Sequence, residues 1–108
     1  MTPLPLPIAA YLQAVNAHDI QAILHCFAPD AHVHDDGHDY YGRTAIGAWL
    51  TRTQQATPFT QEVTHVELGP TETVVTLLVT GDFSGSPLPL HAHFRLDASR
   101  ILDLRIQG

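Results

Sequence analysis

The sequence predicts an α+β domain in which three N-terminal helices pack on one face of a curved, mostly antiparallel sheet. Apolar residues recur with a period near 3.6 up to Thr57-Pro58. From Phe59 onward the period changes to about 2. Turns that contain Gly, Pro and Ser separate these later segments, as in an antiparallel meander. The concave side of such a sheet can hold an apolar pocket beneath the helices.

The three helices are predicted from their end signals and their apolar stripes. Pro7 suits a first helical turn, and the first helix runs to about Asn16. Asp19 is a natural N-cap for the second helix, which Pro29 ends. The third helix follows Gly42. The predicted buried stripes are Ile8, Tyr11, Leu12 and Val15 in the first helix, Ile20, Ile23, Leu24 and Phe27 in the second, and Ala45, Ile46, Trp49, Leu50 and Thr53 in the third.

The strands are predicted from alternation. The first covers residues 31–35, and it puts Asp35 on the apolar face with Ala31 and Val33, while His32 and His34 face the other way. A turn at 36–39 and a brief extended piece at 40–41 follow. Longer strands are predicted over residues 60–68, 73–83, 88–97 and 100–107.

Length and composition limit the classes of function. A chain of 108 residues is expected to form one domain, spanning 1–108. The net charge of −6 argues against binding nucleic acid through its phosphates. The chain has no lysine for Schiff-base chemistry, and its single cysteine, Cys26, favours a reducing compartment. No signal-peptide pattern and no long apolar run are found, so we expect a cytoplasmic protein that does not bind membranes.

Three spaced stretches resemble a known family. Residues 11–19 (YLQAVNAHD), 27–31 (FAPDA) and 42–46 (GRTAI) are similar to SnoaL-like and ketosteroid-isomerase-like proteins of the nuclear transport factor 2-like superfamily. The resemblance implies a cone-shaped fold with a deep apolar pocket, and it implies a single SnoaL-like domain. Members of this superfamily carry many activities, so the fold alone does not specify the chemistry.

The resemblance also implies candidate catalytic residues. By position, Tyr11 matches the catalytic tyrosine of ketosteroid isomerases, and Asp35 matches their general base. A protonated aspartate expected on a later strand falls on Ala92, so that acid is missing. Losing one oxyanion donor typically costs about 10²–10³ in rate. We therefore expect a related proton transfer next to a carbonyl rather than authentic steroid isomerisation.

The residues themselves support a pocket at this place. A carboxylate among apolar groups, as expected for Asp35, is a stronger base than one in water. Alternatively, Asp35 caps a turn, and Tyr11 donates to another protein group. The predicted pocket walls are Phe27, Val33, His38, Trp49, Leu77, Phe83, Leu90, Ala92 and Phe94, although the aromatic residues among them are also typical of a core.

Clustered histidines suggest a metal site that the strand pattern disfavours. His32, His34 and His38 with Asp35 and Asp36 could supply ligands. Because alternation turns His32 and His34 away from Asp35, one tight site is hard to close. We expect surface or interface histidines, no metal and no cofactor.

Two further expectations concern side chains outside the pocket. Arg43 is expected to pair with a nearby acid such as Asp39. The outward-facing His91, His93 and Arg95 are predicted to form a homodimer interface, because the resemblance implies sheet-to-sheet dimers.

The main functional hypothesis is an isomerase- or cyclase-like enzyme acting on an apolar polyketide- or steroid-like molecule. The alternatives are a non-catalytic protein that binds an apolar ligand, an epoxide-hydrolase-like enzyme, and an interaction module that uses the sheet face. Epoxide hydrolysis would require a second acid or an Arg in the pocket. Glu62 or His65 could replace the acid missing at Ala92.

Overall fold

The computed structural model describes residues 4–108 as three helices and a six-stranded sheet. The strands lie in the order β2-β1-β6-β5-β4-β3. Strands β1 and β6 run parallel, and the other neighbouring pairs are antiparallel. The elements are α1 (Leu6–Asn16), α2 (Ile20–His25), β1 (Phe27–Asp35), β2 (His38–Tyr41), α3 (Gly42–Ala56), β3 (Phe59–Leu68), β4 (Thr73–Gly81), β5 (Leu88–Leu96) and β6 (Ile101–Gln107). The predicted α+β class with a mostly antiparallel sheet is confirmed.

Helices α1 and α3 begin and end close to where their signals predict, and α2 begins at its predicted cap. Pro7 lies in the first turn of α1, and the Asp19 side chain caps α2 by accepting a 3.1 Å hydrogen bond from the Ala22 N–H. The predicted stripe of α1 is buried in full: Ile8, Tyr11, Leu12 and Val15. Within residues 4–108, no helix is long and apolar enough to cross a membrane.

A side-chain clasp joins the end of α1 to the start of β3. The Asn16 amide donates a 2.9 Å hydrogen bond to the Gln61 carbonyl oxygen and accepts a 2.7 Å hydrogen bond from the Gln61 N–H. Both hydrogen bonds use the backbone of Gln61 and leave its side chain free to turn toward the helices.

The β1–β2 hairpin positions the end of β1. Asp36 and Gly37 form its two-residue loop, with φ of +51° and +74°. Positive φ at both loop residues is the type I′ geometry that suits the twist of paired strands. The adjacent Asp35 pairs with His38 across the hairpin. Its own strand face carries Ala31 and Val33, both buried, as the alternation predicts.

Three predicted boundaries are wrong. The turn predicted at 36–39 is shorter, because His38 and Asp39 already belong to β2 and pair with Asp35 and His34. Helix α2 ends at His25, and Phe27 belongs to β1, because Phe27 pairs with Ile101 and the Ile101 N–H donates to the Cys26 carbonyl. Pairing with a distant strand thus overrides the local helical pattern. Strand β4 ends at Gly81, which pairs with Phe59, so Phe83 lies in the following loop.

The core lies between the helices and the inner face of the sheet. It is continuous from α1 through β1 to β4, β5 and β6. Its largest fully buried side chains are Phe27, Phe94, Ile8, Ile23, Ile46, Ile101, Leu104, Val15, Val33 and Val75.

Candidate functional site

A cavity of about 160 Å³ opens between α1, α3 and the sheet. Most of its wall is aliphatic or aromatic, and a few polar groups enter it from different elements. Its lining residues are Tyr11, Val15, Asp35, Trp49, Leu50, Thr53, Gln54, Phe59, Gln61, Val79, Leu90 and Ile106. An apolar cavity with few convergent polar groups is the usual form of a small-molecule site.

Asp35 is held in this cavity by a tryptophan. The Trp49 indole N–H donates a 3.0 Å hydrogen bond to Oδ2 of Asp35. Trp49 itself is 5% exposed and stacks on Tyr40, with ring centroids 5.9 Å apart. Helix α3 therefore fixes the orientation of the carboxylate that ends β1.

Tyr11 lines the same cavity from α1. Its ring is 3% exposed and packs edge-on against Phe27 and Phe94, at centroid distances of 5.8 and 5.6 Å. Burial, followed by charge interactions with Asp35 and Cys26, raises the pKa of the Tyr11 phenol well above its usual range. The phenol consequently keeps its proton and is able to donate a hydrogen bond, and the two predicted catalytic side chains line one cavity.

The remaining predicted wall residues divide between lining and core. Trp49 and Leu90 line the cavity. Phe27 and Phe94 lie behind Tyr11 and support its ring. Val33, Leu77 and Ala92 lie outside the lining and are buried in the core. Phe83 also lies outside the lining and is partly buried in the loop after β4. His38 is exposed in β2, with its Nδ1 2.8 Å from the Asp36 carbonyl oxygen.

Two glutamines in the lining are not among the predicted site residues. Gln54 continues the α3 stripe four residues after Leu50, and Gln61 alternates with Phe59 and Val63 on the inner side of β3. A polar residue at an apolar position of a stripe is the sequence signal that could have identified them. Their neighbour Thr53, which is also in the lining, donates to the Leu50 carbonyl.

Comparison with known proteins decides the family. The model of the SnoaL-like domain family matches residues 8–104. The chain belongs to the SnoaL-like family. No curated protein is significantly similar to this SnoaL-like domain.

Solved structures agree with this assignment. A candidate polyketide cyclase from Sinorhizobium meliloti is 33% identical, with a TM-score of 0.92 over 96% of this chain and 95% of that one. A ketosteroid-isomerase-like protein from Catenulispora acidiphila, in complex with trimethylamine, is 19% identical, with a TM-score of 0.85 over 98% and 87%. A candidate polyketide cyclase from Xanthomonas campestris is 23% identical, with a TM-score of 0.80 over 93% and 85%. The last two comparisons concern the fold alone.

Two histidines of the SnoaL-like domain, His32 and His34, form a network on the outer face of β1. His32 Nδ1 lies 2.6 Å from Asp103 Oδ1, and His32 Nε2 lies 2.7 Å from Asp39 Oδ1. His34 Nδ1 lies 2.9 Å from the same Asp39 oxygen. This network links β1 to β2 and β6 on the side away from Asp35. Among residues 4–108, no group of three or more His, Cys, Asp or Glu side chains has a geometry that could hold a metal ion.

Arg43 does not pair with Asp39, contrary to expectation. Its Nε and Nη2 donate to the Phe27 carbonyl oxygen at 3.2 and 2.7 Å. This hydrogen-bonding group helps to join the start of α3 to β1, and Asp39 is engaged by the two histidines instead.

The site lacks the acid that the resemblance places at position 92. Ala92 is 1% exposed and lies outside the cavity lining. Glu62 and His65, which could have replaced that acid, are both exposed on β3 and absent from the lining within the described residues 4–108. Of the described lining residues, Asp35 and Tyr11 alone carry ionisable side chains. The site thus combines one carboxylate, one phenol and a few neutral polar side chains with a largely apolar wall.

Proposed function

We propose that this SnoaL-like domain is an isomerase- or cyclase-like enzyme that moves a proton next to the carbonyl of a small apolar molecule. Asp35 acts as the general base, and Tyr11 donates a hydrogen bond to the carbonyl oxygen. The supporting observation is that the two side chains line one apolar cavity. Membership of a family with candidate polyketide cyclases among its solved structures agrees with this class of substrate.

The reaction follows from the chemistry of the two groups. The Asp35 carboxylate takes a proton from the carbon beside the carbonyl, and the C–H electron pair forms a C=C bond while negative charge moves to oxygen. The Tyr11 O–H stabilises that oxygen by hydrogen bonding. Asp35 then returns the proton to the same carbon or to another carbon of the conjugated system. Trp49 uses Oδ2 of Asp35, and no other described residue hydrogen-bonds to this carboxylate, so Oδ1 is available to the substrate.

The size of the cavity favours a compact substrate. A cavity of about 160 Å³ is close to the ~150 Å³ of an engineered cavity that binds benzene. It is smaller than the roughly 300–1,000 Å³ of pockets for drug-sized ligands. A molecule of one or two rings therefore suits this cavity better than a steroid of four fused rings.

The absent acid also argues against authentic ketosteroid isomerisation. Stabilisation of the developing oxyanion depends on Tyr11, because Ala92 supplies no donor. One missing donor typically lowers the rate by about 10²–10³. Because one donor is missing, the site suits a ketone whose C–H is already acidic better than a ketone whose C–H is weakly acidic.

Exchange of carbon-bound hydrogen for deuterium tests the proposal without knowledge of the natural substrate. The probe is β-tetralone, a compact ketone with an acidic benzylic CH₂ beside its carbonyl. We expect the protein to accelerate loss of that CH₂ signal in the NMR spectrum in D₂O, and Asp35→Asn to abolish the acceleration. Asp36→Asn, at the exposed neighbouring position, is the matched control and should exchange at the parent rate. Parent-like exchange by a folded Asp35→Asn protein would show that Asp35 is not the base.

A non-catalytic binding protein is the second candidate. The observations that favour it are the missing donor at Ala92 and the hydrogen bond from Trp49, which also suits a purely structural carboxylate. Binding of β-tetralone to both the parent and Asp35→Asn, with no exchange above background for either, would support this candidate. Epoxide hydrolysis is not proposed, because no Arg and no second acid is found among the described lining residues.

For a macromolecular partner, we propose a second copy of this chain on the outer face of β4 and β5. His91 and Arg95 are exposed there, and Val74 and Leu78 are only partly buried. Sedimentation or light scattering of the parent and of Arg95→Glu is the test. A parent that is monomeric at micromolar concentration would rule out this dimer.

A further inference from the structure

Two glutamine side chains in the cavity wall hold polar atoms that have no partner. Nε2 of Gln54 and Oε1 of Gln61 are shielded from water and make no hydrogen bond. These are the two such side-chain atoms found in the described part of the chain, and both belong to residues of the cavity lining. Leaving a buried polar atom unpaired typically costs about 1–3 kcal/mol, so such atoms call for a specific explanation.

Gln54 is anchored through its side-chain oxygen, and Gln61 is anchored through its backbone. Oε1 of Gln54 lies 2.7 Å from Nδ1 of His18, and with that nitrogen donating, the Gln54 amide N–H groups remain free. The Gln61 backbone is clasped by Asn16 through both its N–H and its carbonyl oxygen. His18 thus holds the Gln54 amide in place, whereas the terminal torsion of the Gln61 amide is a soft degree of freedom that can turn Oε1 toward a ligand.

We propose that Gln54 and Gln61 form a second polar subsite, which binds a neutral hydroxyl group on the ligand. This inference rests on the proposed function, because it concerns the substrate of the same cavity. A hydroxyl accepts from the Gln54 amide N–H and donates to Oε1 of Gln61, so one small group satisfies both atoms. No Arg, Lys or His is present among the described lining residues, so a carboxylate or phosphate at this place would lack a counter-charge.

Helix geometry gives the approximate spacing of the two polar ends. Trp49, which holds Asp35, and Gln54 both lie on α3, five residues apart. At a rise of about 1.5 Å per residue, this separation is about 7.5 Å along the helix axis. The ligand that fits is a hydroxy-ketone whose hydroxyl lies far from the CH₂ that Asp35 deprotonates, with a compact apolar body between them.

The test compares β-tetralone with its 6-hydroxy derivative, in which a hydroxyl lies at the far end of the fused rings from the carbonyl. Calorimetric titration should show that the hydroxy derivative binds the parent protein about tenfold more tightly, as expected for hydrogen bonds that complete buried partners. In Gln54→Leu and Gln61→Leu, this ratio should fall to about one. Gln54→Glu, which keeps an acceptor for His18 but removes the amide donor, should lower the ratio as well. Gln55→Leu, on the exposed side of the same helix, should keep the tenfold ratio.

Each outcome decides the proposal. Equal binding of the two ketones by the parent, or binding of neither, contradicts it, as does a tenfold ratio that survives in both leucine variants. The ratio is also measured with Asp35→Asn. A tenfold ratio there, whatever the exchange data show, supports the subsite independently of the base, whereas loss of exchange alone bears only on the proposed reaction.

Discussion

The indole N–H of Trp49 donates a 3.0 Å hydrogen bond to Oδ2 of Asp35, and this contact connects helix α3 to the end of strand β1. An indole nitrogen donates only, so the carboxylate must be the acceptor. The contact fixes one carboxylate oxygen, and the other has no hydrogen-bond partner among the described residues. Positioning of a base is sensitive to small displacements, because a misplacement of about 1 Å can cost 10²-fold in rate.

Replacement of Trp49 by Phe should lower exchange without unfolding the protein. Phenylalanine keeps an aromatic ring against Tyr40 but removes the donor to Asp35. We expect kcat/KM for β-tetralone exchange to fall by about tenfold or more. The measurement is NMR exchange with a melting curve on the same sample. A large loss of melting temperature would attribute the slower exchange to unfolding, and unchanged exchange would show that Asp35 does not need the hydrogen bond from Trp49.

Replacement of Tyr11 by Phe isolates the phenolic donor. The ring keeps its edge-on contacts with Phe27 and Phe94, so packing is preserved. Exchange should slow by about 10²–10³, the usual effect of losing one oxyanion donor. We expect exchange to slow by this factor while the affinity for β-tetralone stays unchanged. Loss of binding alone would mean that Tyr11 serves as wall rather than donor.

The His32 network predicts a pH dependence of stability. Burial lowers the pKa of His32, but hydrogen bonds and charge interactions with Asp103 and Asp39 outweigh it, and the net pKa lies above 6.5. A raised folded-state pKa contributes stability that is complete below 6.5 and is lost as pH rises through the raised value. Hydrogen bonds from His34 and His32 lower the pKa of Asp39, so its contribution is present above 3.8 and is lost as pH falls through the lowered value.

Urea unfolding at several pH values measures this contribution. The difference in unfolding free energy between the parent and His32→Asn should be larger at about pH 5.5 than at about pH 8.5. His25→Asn, at an exposed position of α2, controls for loss of a surface imidazole. A parent–variant difference that grows toward alkaline pH would contradict the prediction.

Replacement of Gly37 by Ala tests how far the hairpin holds the site. Gly37 has φ of +74° and open space around the position of a Cβ, so the cost of Ala is confined to the backbone. We expect a loss of about 1–2 kcal/mol in unfolding free energy. Gly108→Ala, also in open space, is the control and should leave stability unchanged. If Gly37→Ala is as stable as the parent, the type I′ loop does not constrain the end of β1.

Periodicity predicts which face of a helix or strand a residue occupies. It does not predict whether a residue on the inner face lines the cavity or is buried in the core. Tyr11 and Asp35 lie on the inner faces that the helical and strand periods indicate, and both reach the cavity. Leu90 and Phe94 share a face of β5, yet Leu90 lines the cavity while Phe94 is buried behind Tyr11. The depth depends on how the helices sit over the sheet, which local pattern does not encode.

The start of β1 and the glutamine pair were missed for different reasons. Phe27 fits a helical stripe, but its pairing with Ile101 is a contact between distant segments that no local pattern records. Gln54 and Gln61 stand where the stripes favour apolar residues, and only the cavity between their elements gives them a shared role. Residues that break the local apolar pattern are expected at a functional site, where side chains face a cavity and not other core residues.

The parallel pairing of β1 with β6 also bears on the order in which the molecule is assembled. The hydrogen bond between His32 and Asp103 spans 71 positions in sequence. Contacts between distant segments carry a large loop-closure entropy and form slowly. Until β6 docks, the strand that carries Asp35 has only the short β2 beside it. The hairpin that carries Asp35 is therefore joined to the rest of the sheet only through β6, and the site is complete only once β6 has paired with β1.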